Sequence, residues 1–185
     1  MSFLLRNIIK DAISDDPATF ELATLQLADL LELSWRNITI CGFANKLDYY
    51  GQHIPEELLK RPLSKAEQLE IIEALFAHLA RYPNRGDLLW VVSKATGDLG
   101  LARLIEFVGN AGEQLETDTA SMVIHALSCM ISLHPSDNEK DELTSMAGFS
   151  ATSKFVQRWM SAADTRLKEG ARSLARTFTT YGIVL

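Results

Sequence analysis

The sequence predicts an all-α fold, a single domain over residues 1–185 built as a stack of antiparallel helical hairpins, with roughly eight to ten helices. Three observations carry this expectation. Apolar residues recur at i, i+3, i+4 and i+7 in most segments, the spacing that gathers them on one face of a helix. Residues that start and stop helices punctuate the chain between those segments. The β-branched run Ile38-Thr39-Ile40 has no neighbouring strand with which to pair.

Leu4, Leu5, Ile8 and Ile9 give a first helix over residues 3–13. It stops there because the residue before Pro17 is pushed out of helical conformation. Asp16-Pro17 opens a second helix, to about Leu33. The aspartate can accept from free amides, and proline's missing N–H costs nothing at the first position. Phe20, Leu27, Leu30 and Leu31 are its core candidates. A helix is expected over 35–50 despite Gly42, closed by Gly51, and a short helical turn over 55–60.

Ser64 and Glu67 have the spacing of a capping box, in which each satisfies the other's end of the helix. Leu69, Ile72, Leu75, Phe76 and Leu79 form the core stripe of that helix, which ends at Tyr82-Pro83-Asn84. Residues 84–110 then read as two short helices, with Leu88, Val91, Val92 and Ala95 in one and Leu101, Leu104, Ile105 and Val108 in the other. Gly97 suits the left-handed residue that ends a helix, and Asp98 suits the cap of the next. Residues 117–133 carry Val123, Leu127, Met130 and Ile131, and a short helix is expected over 138–146. Thr152 or Ser153 is a candidate cap for a helix with Phe155, Val156, Trp159 and Met160 on one face. Ala162-Ala163-Asp164 bends that helix or divides it from the last one. In the last helix Lys168, Arg172 and Arg176 lie four apart and form a basic ridge, with Leu167, Ala171, Leu174 and Phe178 on its other sides. Residues 181–185 dock or fray.

The formal charge of −6 is unevenly spread. Residues 1–150 hold 12 basic against 22 acidic side chains, and the remainder six against two. An acidic body disfavours phosphate backbones and favours fast association with a basic partner. No apolar run approaches the ~20 residues that span a bilayer, and Arg6, Lys10 and Asp11 interrupt the start as a secretory signal. A cytoplasmic address is therefore expected. Cys41 and Cys129 are too few for a disulfide framework or a zinc site of linked cysteines.

Catalytic patterns are not evident. There is no Gly-x-Ser-x-Gly elbow and no Gly-Lys-Ser/Thr phosphate loop. His53, His78, His125 and His134 are scattered; His53 and His134, near prolines, are expected on surface loops. The groups Glu67/Glu70/Glu73, Glu113/Glu116/Asp118 and Glu139/Asp141/Glu142 fall on polar faces, where the contrasting acidities of acid–base catalysis are not expected. The expectation is a protein that is not an enzyme and needs no metal or cofactor. Trp90 and Trp159 suit packing, whereas Trp35-Arg36 and Tyr49-Tyr50 suit an interface, where Trp, Tyr and Arg dominate.

Asp87-Leu88-Leu89-Trp90, Thr96-Gly97-Asp98 and Ala102-Arg103-Leu104-Ile105 resemble the HEAT and armadillo-type helical repeats, well over 88–108 and loosely over 117–133. That resemblance implies a curved stack whose inner face binds another macromolecule, usually a protein. Size, acidity and helical style also resemble bacterial immunity proteins of contact-dependent growth inhibition and other polymorphic toxin systems. This second resemblance implies a non-enzymatic inhibitor that covers the active site of a cognate toxin, a basic nuclease domain, with acids in place of nucleic-acid phosphates. The expected partner contacts are Asp48, Tyr49, Tyr50, Glu67, Glu70, Asp87, Glu113, Glu116 and Asp118. The alternatives are a general scaffold for a cellular protein, or nucleic-acid binding along Lys168, Arg172 and Arg176 with Arg158 and Arg166.

Overall fold

A computed structural model describes residues 2–35, 52–132 and 139–185, and these contain ten α-helices and no strand. In chain order they are α1 (Phe3–Ala12), α2 (Pro17–Trp35), α3 (Glu56–Leu59), α4 (Lys65–Leu79), α5 (Gly86–Val92), α6 (Gly97–Ala111), α7 (Thr117–Ser132), α8 (Glu139–Ser145), α9 (Phe149–Trp159) and α10 (Thr165–Thr180). The all-α expectation is met. The helix expected over 35–50 lies outside the described residues except for Trp35, which ends α2.

The helices pack in two rows. In one, α6 lies between α4 and α9; in the other, α2, α5, α7 and α10 follow one another. The pairs α4–α5, α6–α7 and α9–α10 join the rows, and α1 folds back on α2. One continuous core runs from Leu5 to Ile183 and includes the fully buried Leu27, Ile72, Leu75, Leu89, Leu104 and Phe178. Each such side chain contributes roughly 1.5–3 kcal/mol once a neighbouring row covers it. That is why short helices such as α5, marginal alone, persist here.

Local signals set the boundaries. Ser2 accepts from the Leu5 amide, Asp16 from the Ala18 amide and Asp164 from the Leu167 amide, each satisfying an otherwise free helix-start donor. Asp164 thereby divides the last two helices. The Ser64–Glu67 box forms in full, with bonds in both directions.

Four expectations are corrected. Gly97 is not a left-handed terminator: it opens α6, and Thr96 is the extended residue before it. Asp98 makes no cap, but binds the Thr96 hydroxyl and the Lys65 ammonium. Thr152 lies inside α9, which starts at Phe149 after the left-handed Gly148 (φ 85°). Its hydroxyl donates to the Ile105 carbonyl at 2.9 Å. Finally, Leu69 is 42% exposed, and Ile71 takes its place in the core.

Glycine permits the closest helix approach. Gly148 lies against the α6 backbone, where a β-carbon would come within 2.9 Å of the Ile105 oxygen; one on Gly109 would come within 3.1 Å of the Gly148 α-carbon. The α6–α9 crossing is backbone against backbone.

Candidate functional site

The turn between α4 and α5 is tied to the turn between α6 and α7 through one residue. The Asn84 side chain donates to the Gln114 carbonyl at 3.1 Å and accepts from the Glu116 amide at 2.9 Å, while its carbonyl receives the Thr119 hydroxyl. Arg85 fixes the same edge to α1, donating to the Ala12 and Ser14 carbonyls and to Asp87, and lying over the Phe20 ring at 4.5 Å. Two turns remote in sequence therefore form one stiff edge that carries Asp87, Glu113, Glu116 and Asp118. Glu113 pairs with Arg158 and Asp87 with Arg85. Glu116 and Asp118 are exposed and make no ion pair among the described residues.

Glu67 and Glu70 do not join them. They lie in the first turns of α4, roughly 20 Å along the helix from this edge. Glu67 is buried and used internally. Arg61 grips both carboxylate oxygens, at 2.7 and 2.9 Å, and Ser64 donates through backbone and hydroxyl. The Arg61 hydrogen bonds are the main cause of a carboxyl pKa near 2, outweighing burial. Both of its oxygens are held within the chain, as both Asp87 oxygens are held by Arg85. Glu70 stays exposed. Asp48, Tyr49 and Tyr50 lie outside the described residues.

Sequence reasoning missed a groove between α4 and α6. It has a volume of about 330 Å³. Phe76 and Phe107 form its floor, their ring centroids 6.0 Å apart, and Ala77, Ala80, Pro83 and Ala111 its low walls. Arg103 bridges it, bonding both oxygens of Glu73 across the helices and Glu106 on its own. These bonds, Arg103 to Glu73 foremost, lower the Glu73 pKa and keep the rim charged. Leu69, an exposed large apolar side chain, lies one turn before Glu73 on α4. The available signal was Leu69-x3-Glu73-x2-Phe76-Ala77-x2-Ala80, a helical stripe that mixes charge with apolar residues and so does not belong wholly to a core.

Elsewhere the polar groups answer to packing. His53 is not a free loop residue: its ring bonds Asp29 at 2.6 Å, and Gln26 donates to its carbonyl, joining residue 53 to α2. Burial raises the Asp29 pKa despite that bond. Cys129 and His125 are neighbours on α7 at 3.7 Å, and burial raises the thiol pKa and lowers that of the imidazole, which favours the neutral form of each. Trp159 is buried, as expected, and Trp90 is partly so, with Lys94 over its ring. On α10 Lys168 is half-buried, Arg172 is exposed and pairs with Glu169, and Arg176 is exposed. Among the described residues no helix is long and apolar enough to cross a membrane.

No protein-family model matches this chain, and neither a curated protein nor a solved structure matches it.

Proposed function

We propose that this chain is a non-enzymatic inhibitor that docks a basic protein, and that the partner is a toxin, an immunity-type pairing in which carboxylates replace the phosphates of a nuclease substrate. The acidic edge carries this reading. Asp87, Glu113, Glu116 and Asp118 are presented from two turns pinned together by Asn84. Carboxylates on a preorganised edge attract a cationic cleft at long range, speeding encounter, and lose little conformational entropy on docking. The HEAT-like style of the hairpin pairs is compatible with such a docking role.

The test is co-expression with the product of the gene next to that of this chain. The expected result is relief of that product's toxicity and a complex at micromolar concentration, weakened by added salt and by Glu116→Lys with Asp118→Lys. Unrelieved toxicity, or no complex, overturns the proposal.

A further inference from the structure

We infer that the α4–α6 groove receives an amphipathic helix of the basic partner, with its aliphatic side chains over Phe76 and Phe107 and its lysines or arginines facing Glu73, Glu106 and the acidic edge. The inference rests on the docking reading above and names the partner's chemistry at a second part of the same surface.

Three features select this occupant. The floor is aromatic while the walls are alanines and a proline, so a helix backbone can come close without displacing bulky side chains. The apolar line on α4 extends from Leu69 to Ala80, roughly 16 Å, which is about three helical turns. Anchors at i, i+3, i+4 and i+7 on a partner helix match that length. The rim supplies the sign of charge. Glu73 and Glu106 share the cation Arg103 and leave one net negative charge, and Gln114, between Glu113 and Leu115 in the chain, lines the groove. With Arg103, Arg85 and Arg158 counted, rim and edge are still net negative, so a basic helix is favoured over an acidic one.

The experiment uses the full chain and three dye-labelled peptides of about 18 residues, long enough to exceed the groove. One is a leucine–lysine amphipathic helix, one a leucine–glutamate helix, and one a lysine–serine peptide without anchors. Binding is read by fluorescence anisotropy, and location by amide NMR shifts at Ala77, Ala80, Asn110 and Ala111. The leucine–lysine helix should bind, shift those amides, and outbind both others by at least about tenfold. Ala77→Arg with Ala80→Arg fills an exposed part of the groove without touching the core. This pair should abolish the groove shifts while the helical circular dichroism is retained.

Binding that ignores this pair and shifts only Glu116 and its neighbours refutes the groove while leaving the acidic edge intact. Equal binding of the leucine–glutamate helix refutes the charge selection. If neither lysine-containing peptide binds, both the groove and the edge fail.

Discussion

Glu67→Gln isolates the charge at the start of α4. Glutamine keeps the side-chain length and can still complete a capping box, so the change removes the negative charge gripped by Arg61 and little else. The fall of the carboxyl pKa from 4.5 to about 2 corresponds to on the order of 3 kcal/mol of folded-state preference for the ionised form. Arg61 is 62% exposed, so water screens its share, and about 1–2 kcal/mol should remain at neutral pH. For a chain of this size that loss lowers Tm by roughly 3–6 °C. The direction of the shift sets the sign with pH. A carboxyl with a folded pKa below its unfolded one stabilises fully above about pH 5, and the contribution drains away as pH falls from 4.5 towards 2. Urea unfolding of both proteins between pH 7 and pH 3 measures this. The stability difference should be constant from pH 7 to about 5 and shrink below it. A difference that stays flat down to pH 3 would show that Glu67 contributes through shape and neutral hydrogen bonds, and would refute the ion-pair argument.

Gly148→Ala should destabilise by about 2–3 kcal/mol in urea unfolding, because a β-carbon meets the Ile105 oxygen at 2.9 Å and φ is 85°. Asn84→Ala should cost about 1–3 kcal/mol and speed hydrogen exchange at the Glu116 amide, which loses its acceptor. Thr152→Val should cost about 1 kcal/mol by removing the buried bond to Ile105, as read from the urea midpoint. Ser153→Ala next to it should be neutral or mildly stabilising in the same assay, since that buried hydroxyl has no partner among the described residues.

Much of the helical order is legible because it depends on neighbours within one or two turns. The Ser64–Glu67 box, the Asp16-Pro17 start and the stripes Leu88–Val91–Val92 and Leu167–Ala171–Leu174–Phe178 are local patterns, and each forms as the spacing predicts. The errors also share a cause, a residue type that fits two local patterns at once. Thr96-Gly97-Asp98 reads as a helix terminator because glycine often ends helices, but here the extended residue is Thr96 and the glycine begins α6. Glu67 fits both a capping residue and an exposed acid; the capping geometry that draws it inward excludes the second role.

Composition and periodicity alone determine that this chain is helical, acidic and able to bury one side of each helix, since those properties need only i to i+4 neighbours and a charge count. Which face of α4 looks outward, how Asn84 joins two turns 32 residues apart, and why four of the predicted acids share an edge that Glu67 and Glu70 do not reach were decided by tertiary packing. The physical reason is that a stripe reports how apolar a face is, whereas its exposure depends on whether another helix arrives to cover it. For α4 and α6, one side is closed by the neighbouring row and the groove between them is left open.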